Sequence, residues 1–394
     1  MREVAIIGGG LHPWGSFPNK TLDDLLVHVA AQALVDAGVK WRDIQCVIAG
    51  ITRYSGMAGY LSSSTLAENL GNLGIPMINI FNACATGAST MGQAYQAVAS
   101  GQFDLVLAVA ADKFPGGMYP SAGGERNKSN IDQIRFEMVG IPNPGYWALS
   151  MKRRMEDYGD TEEDMARVKV GRSKYAPYNP NARYKKAYTM EEVLNSPYVS
   201  DPLRLYEICA TSDGAAAFVL SNMDIAKARN PRPVKIAAAT VGTGLYGDPT
   251  LRVPCLGSTA IQRSPWYSES CQSVKQAYEY SGLGPEDLDV VELCDNSSWH
   301  FLEYAEIIGL CKQGEAANCL RRGEFDIGGR IPVCPSGGIS SFGEAVPAQL
   351  LCETYELYLQ LLGRAGARQL SNAKIGLAQS YGAQGNAGTI ILKR

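Results

Sequence analysis

The run Asn82-Ala83-Cys84-Ala85-Thr86-Gly87-Ala88-Ser89-Thr90 follows an apolar stretch, Pro76 to Phe81, and leads into small, helix-patterned residues that close at Gly101. That pattern sets a cysteine on a strand-to-helix turn. There, unpaired backbone N–H groups and the helix dipole favour a thiolate over a thiol, so Cys84 is a candidate nucleophile. The small residues behind it let the helix begin close to other backbone and leave room for a substrate arm at the sulfur. The opposing reading is a buried structural thiol, since free cysteine usually packs as a small hydrophobe.

The surrounding chain decides between them. Its 394 residues are too many for one small core and favour two halves or two domains. A hydrophobic content of 46% with 42 glycines fits a densely packed α/β enzyme, and a net charge of -3 argues against nucleic acid or a membrane surface as the main partner. No apolar run approaches the ~20 residues that span a bilayer, and Met1-Arg2-Glu3-Val4 passes straight into a strand, so a cytoplasmic protein is expected. Ten cysteines occur singly without a C-x-x-C pair, and the histidines are only His12, His28 and His300. Neither a disulfide framework nor a metal site is expected in this chain.

The pattern around the turn occurs twice. Ala33 to Ile48 and Ala277 to Glu292 each read as a helix end with glycine behind it, a short acidic turn and a strand. Strands are expected at Val4–Ile7, Ile78–Phe81, Leu105–Ala110 and Ala216–Leu220 in the first copy. In the second they are expected at Pro233–Ala237, Ile331–Cys334, Ile375–Ala378 and Gly388–Leu392. Alternating strands and helices, repeated, imply a pseudo-two-fold stack of five layers. Between Lys113 and Asp201 the strand pattern gives way to Pro, Tyr, Asn and basic residues, which reads as an inserted lobe of the kind that carries substrate contacts.

These features resemble the thiolase superfamily over essentially the whole chain, with the sterol-carrier and lipid-transfer branch the most similar. Asn82 to Gly87 is similar to the family's nucleophile turn. Pro202-Leu203-Arg204-Leu205 with Thr211 to Ala217 resembles the return from the loop lobe, Pro335 to Gly343 the Pro-Ser-Gly-Gly turn, and Ser380 to Gly388 the turn before the last strand. The resemblance implies an αβαβα fold of duplicated βαβαβαββ halves. Residues 1–112 with 202–231 would form the N-terminal half, 113–201 the loop lobe with CoA and dimer contacts, and 232–394 the C-terminal half. Cys84 is then the acyl-accepting nucleophile.

The acid–base equipment departs from the family. Gly343-Glu344-Ala345 stands where the family has Gly-His-Pro, Ser380 stands in place of a second catalytic cysteine, and Cys294-Asp295-Asn296-Ser297 replaces His-Asp-Cys-Phe. Glu344 against an apolar wall would have its pKa raised toward neutrality and could take the Cys84 proton. Alternatively it orders the turn. Asn296 either donates to a thioester oxygen or caps the next helix. Ser380 is a weak proton relay or a structural hydroxyl, and Cys294 and Cys334 pack or act as further thiols. The backbone of Gly382 can approach the acyl oxygen as an oxyanion donor, as in the family.

Together these groups support CoA-dependent cleavage of a 3-oxoacyl-CoA through an acyl-Cys84 intermediate, or the reverse condensation. Lys152-Arg153-Arg154 and Arg183-Tyr184-Lys185-Lys186 either meet CoA phosphates or form solvated faces. The altered set resembles the large subunits of benzoylsuccinyl-CoA thiolases of anaerobic toluene degradation. That resemblance implies a homodimer joined by a small zinc-ribbon and OB-fold partner in a heterotetramer, with strand Leu105–Ala110 nearest the dimer edge. A retro-aldol lyase and a non-catalytic carrier subunit are the alternatives.

Overall fold

A computed structural model describes residues 1–51, 62–113, 143–245, 268–382 and 385–394. Much of the expected lobe, residues 114–142, and two positions of the terminal turn, 383 and 384, lie outside the described residues.

The duplication is written into the strand order. The first half contributes β1 (Val4–Leu11), β2 (Cys46–Gly50), β3 (Met77–Ile80), β4 (Leu105–Asp112) and β5 (Gly214–Asn222). The second contributes β6 (Val234–Thr243), β7 (Val290–Leu293), β8 (Ile375–Gly382) and β9 (Asn386–Lys393). They form one nine-stranded sheet in the order β3-β2-β4-β5-β1-β6-β9-β8-β7. Read from its middle outward, each half repeats the same sequence of first, last, last-but-one and second strand. Among the described residues, the two half-sheets are laddered together where Ala5 and Ile6 pair with Lys235 and Val234.

The fifth slot of the second half departs from expectation. Residues 331–334 form no strand, and only Val333 bridges to Val291 of β7. Pro332 and Pro335 have no N–H to give to a ladder, and Cys334 takes a positive φ of 50°.

Both repeats end their outer helix alike. Helix α1 (Leu22–Ala37) stops at Gly38 and a later helix (Glu269–Ser281) at Gly282, each glycine left-handed at φ 63° and 66°, before a short 3-10 turn and a strand. Helix α1 covers one sheet face and Glu269–Ser281 covers β6, β9 and β8. Between the half-sheets lie α2 (Thr86–Ala99) and a long helix (Gln349–Leu362), each packed against strands of both halves. This gives helix, sheet, helix pair, sheet, helix: the expected five layers. The central pair is buried in one apolar core with β1, β4, β5, β8 and β9.

Leu105–Asp112 is an interior strand, parallel to β2 and antiparallel to β5, and so does not lie at the sheet edge. The edge of the first half-sheet, among the described residues, is β3, where Ile78 is 40% exposed and the following Phe81 51%. Among the described residues no helix is long and apolar enough to cross a membrane.

Candidate active site

The nucleophile turn is closed by short-range bonds. The Asn82 N–H donates to Thr86 Oγ1 at 2.8 Å, and the Thr86 N–H to the Ala83 carbonyl at 3.0 Å. Ala83 carries a φ of 45°, a region that costs a Cβ-bearing residue free energy and is often found where function demands it. Cys84 follows immediately and α2 begins two residues later, so the thiol sits at a helix N-terminus as expected. It is buried, with 8% of its surface open.

Glu344 meets it from the other half. The Cys84 thiol donates to Glu344 Oε1 at 3.5 Å. Main-chain bonds clamp the glutamate on both sides: its N–H donates to the Ala210 carbonyl at 2.6 Å, and its carbonyl accepts from Ser212 N–H at 2.8 Å. Gly343 has a φ of 82°, and a Cβ there would stand 2.3 Å from Ser212 Oγ, so the glycine permits this approach. Burial pushes the Glu344 carboxyl up to about 7, against the pull of the Cys84 thiol, and Asp112 at the end of β4 pushes the same way. Asn296 makes a smaller opposing contribution as a side-chain hydrogen-bond partner. Glu344 Oε2 is buried without a hydrogen-bond partner.

Asn296 does not cap the following helix. Helix Ser298–Ile307 is capped by Ser297, whose hydroxyl accepts from the His300 N–H. The Asn296 side chain instead receives the Cys294 thiol at 2.7 Å, while its carbonyl accepts from Cys209 N–H at 2.8 Å. Cys294 and Cys334 are fully buried, and desolvation holds both as thiols. His300 is ringed by Trp147, Trp299, Tyr304 and Tyr381 and bonded to Ser297. Burial depresses its pKa to about 3, so it packs as a neutral ring.

Gly382 closes β8 opposite Asn386. A Cβ at Gly382 would lie 1.8 Å from Asn386 Oδ1 and 2.9 Å from the Asn386 carbonyl oxygen, so a side chain there would displace Asn386. Asn386 in turn donates to Asn82 Oδ1 at 2.9 Å, tying the terminal turn to the nucleophile turn. Ser380, on β8, is buried and accepts a bond from Gln349 of the central helix pair.

The basic runs divide. Arg154 is buried, and its guanidinium is spent on Asp160 at 2.7 Å, Glu306 at 3.0 Å and Glu303 at 3.4 Å, so it ties the lobe to helix Ser298–Ile307 of the second half and does not reach toward a phosphate. Its neighbours remain at the surface, Lys152 exposed and Arg153 half-buried in an ion pair with Asp157 at 2.8 Å. Arg183 donates to the Thr211 carbonyl and to Ser212 Oγ at 3.1 Å, bracing the segment that clamps Glu344.

Three residues absent from the sequence reading join the site. Asp112 accepts from Val346 N–H at 3.0 Å, just beyond Glu344. Cys209 is half-buried on the clamping segment, within electrostatic range of Glu344 and Cys84. Lys169 is buried and donates to the Ser340 carbonyl at 2.7 Å. Their only local signals were a carboxylate ending a strand, a cysteine two residues before Thr211, and a lysine on the inner face of a helix.

Residues 4–147 match the model of the thiolase N-terminal domain, and residues 258–394 that of a thiolase C-terminal domain-like family. The chain is 30% identical over 395 residues to the acetyl-CoA acetyltransferase of Methanothermobacter thermautotrophicus, covering 99% of both. It is 31% identical over 395 residues to sterol carrier protein 2 of Bos taurus, covering 97% of this chain and 70% of that protein. The benzoylsuccinyl-CoA thiolase subunit BbsB of Thauera aromatica is 31% identical over 296 residues, 75% of this chain and 73% of that subunit. Among solved structures, the Ltp2-ChsH2(DUF35) aldolase superposes with a TM-score of 0.81 at 26% identity, covering 99% of this chain and 97% of that one. With matches in both halves and a relative aligned end to end, the chain belongs to the thiolase family and is a thiolase-type acyltransferase.

Proposed function

We propose that the protein is a cytoplasmic enzyme that cleaves a 3-oxoacyl-CoA with free CoA, through an acyl group carried on Cys84. The observation that carries this reading is the buried Cys84–Glu344 pair: a thiol bonded to a carboxylate whose pKa lies near 7. Glu344 takes the Cys84 proton in place of the family's histidine, and the thiolate adds to the 3-keto carbon. Asn296 and the backbone at Gly382 and Cys84 serve as donors to the oxyanions that form. The C2–C3 bond then breaks, leaving an enolate of the shorter CoA ester and an acyl-Cys84 thioester. In the second half Glu344 takes the proton of the incoming CoA thiol, and Cys84 is released. Ser380, held by Gln349, supports the terminal turn.

The N-terminal half, 1–112 with 202–231, supplies the nucleophile, the C-terminal half, 232–394, supplies Glu344, and the lobe, 113–201, supplies CoA contacts, with Lys152 and Arg153 among its basic residues that remain near solvent. The likeness to a benzoylsuccinyl-CoA thiolase subunit supports an aromatic substrate of that type, cleaved to benzoyl-CoA and succinyl-CoA. Two relatives are named as parts of multi-component proteins, which supports a small zinc-ribbon and OB-fold partner beside a homodimer.

The second reading is a retro-aldol lyase, favoured by the likeness to an aldolase. A retro-aldol step needs a base but no covalent acyl carrier, so a thiol poised on a carboxylate counts against it. Intact-mass measurement after mixing with acetyl-, succinyl- or benzoyl-CoA separates the two. An adduct of acyl mass on Cys84 is expected; an unmodified chain with all three esters overturns the acyl-enzyme.

A further inference from the structure

The acyl-enzyme account leaves one proton unassigned. When the C2–C3 bond breaks, its electron pair stays on C2, and that carbon must be protonated. Glu344 already holds the proton of Cys84 at that moment.

The segment 208–212 threads between the two turns of the second half. Ile208 bridges to Ser297, the Cys209 N–H donates to the Asn296 carbonyl at 2.8 Å, the Ala210 carbonyl accepts from Glu344 N–H, and Thr211 bridges to Glu344. Cys209 therefore sits between Asn296 and Glu344, half-buried where Cys84, Glu344 and Cys294 are buried. Behind the same turn stands Lys169. Its ammonium donates to the Ser340 carbonyl, lies over the Tyr188 ring at 5.1 Å and has no ion pair among the described residues. A buried cation of this kind stabilises a neighbouring anion.

We propose that Cys209 is a catalytic residue, the acid that delivers a proton to C2 of the departing CoA ester and, in reverse, the base that removes it. The proposal rests on the acyl-Cys84 reading above. As the C2–C3 bond breaks, the Cys209 S–H bond breaks too: its proton goes to C2, and its electron pair remains on sulfur as a thiolate near Lys169. Glu344, protonated by Cys84, returns that proton to the Cys209 thiolate. The carboxylate is then free to receive the proton of the incoming CoA thiol. Burial and the charges of Glu344, Asp295 and Cys84 hold Cys209 as a thiol at rest, the form an acid requires, while burial lowers the pKa of Lys169 to about 8 against the pull of Asp295 and Cys209.

The two half-reactions separate this role from support of the fold. Acyl exchange between acetyl-CoA and isotopically labelled free CoA uses Cys84 and Glu344 alone. Exchange of C2 hydrogens of acetyl- or succinyl-CoA with D2O needs the C2 acid–base group. In Cys209→Ala the first rate is expected to stay within about threefold of the unaltered protein, and the second to fall roughly 10²–10⁴-fold. Cys209→Ser, which keeps the size of the side chain, should show the same split and decides the matter if the alanine variant does not fold. Deuterium exchange within about threefold of the unaltered protein, or an equal loss of both rates in a folded variant, overturns the assignment. If the unaltered protein neither acylates Cys84 nor exchanges C2 hydrogens with these esters, the underlying acyl-enzyme reading falls instead.

Discussion

Cys84 Sγ and Glu344 Oε1 stand 3.5 Å apart although 260 positions separate them in the chain. The duplication makes this meeting possible. Each residue precedes one of the paired central helices, Thr86–Ala99 and Gln349–Leu362, which pack between the half-sheets. The two turns are brought to one end of the layer, and each half supplies one member of the pair.

Cys84→Ser should abolish acyl transfer and leave the protein folded. A hydroxyl fills the same turn but lacks an accessible anion at neutral pH. Thermal unfolding within a few degrees of the unaltered protein, with no acyl adduct by intact mass, is the expected pair of results. Turnover within about tenfold of the unaltered rate would exclude a covalent role.

Arg154→Met tests a correction. The guanidinium is buried against Asp160, Glu303 and Glu306, so removing it strands carboxylates where the lobe meets the second half. A loss of about 3–5 kcal/mol is expected in denaturant titration, the usual cost of breaking one side of a buried ion pair. The KM for CoA should stay within about twofold, since ground-state binding would change only if the residue touched the ligand. A raised KM with unchanged stability would restore Arg154 to the phosphate site.

What could be read from the sequence was what depends on local pattern. The Cys84 turn, the helix ends at Gly38 and Gly282 and most strands are set by neighbours in the chain, and they stand as expected, several strands extending further than their apolar runs. Glu344 was legible only through its position in a turn, because nothing local tells a carboxylate that it will be buried. Arg154 misled for the same reason: its run of three basic residues looks solvated, and its partners Glu303 and Glu306 lie on a helix about 150 positions away. Cys209 was invisible because its place follows from the 208–212 segment threading between two distant turns. Ser297 took the cap that Asn296 was offered, freeing that amide for the site.

The edge strand Met77–Ile80 carries the next prediction. Among the described residues β2 is its one ladder partner, and its outer residues include Ile78, 40% exposed. An apolar edge strand exposed at Ile78 and Phe81 calls for a cover, and a second copy of the same strand, through the dimer proposed above, would supply it. Sedimentation at micromolar concentration should give a dimer for the unaltered chain and a monomer for Ile78→Arg. A dimer unaffected by that charge would place the interface elsewhere.

Glu344→Gln keeps the volume and hydrogen-bonding capacity of the glutamate and removes its base. Acylation of Cys84 is expected to slow roughly 10²–10⁴-fold in single-turnover mixing, the range for a positioned general base, with substrate binding little changed. In the unaltered protein the same rate should rise with pH through about 7, where burial has placed the carboxyl, because only the ionised form accepts the thiol proton. Stability should move the opposite way. The folded carboxyl titrates near 7 and the unfolded one near 4.5. Between those values the native state therefore holds the extra proton, and stability falls as pH rises. The full effect is about 3 kcal/mol, present below the unfolded value and lost above the folded one. Gln carries no such charge. The unaltered protein should thus lose stability relative to Glu344→Gln between pH 5 and pH 8, while outpacing it in acylation across the upper part of that range. A variant that acylates at the unaltered rate, with a stability difference independent of pH, would leave Glu344 as an ordering residue and reassign the base.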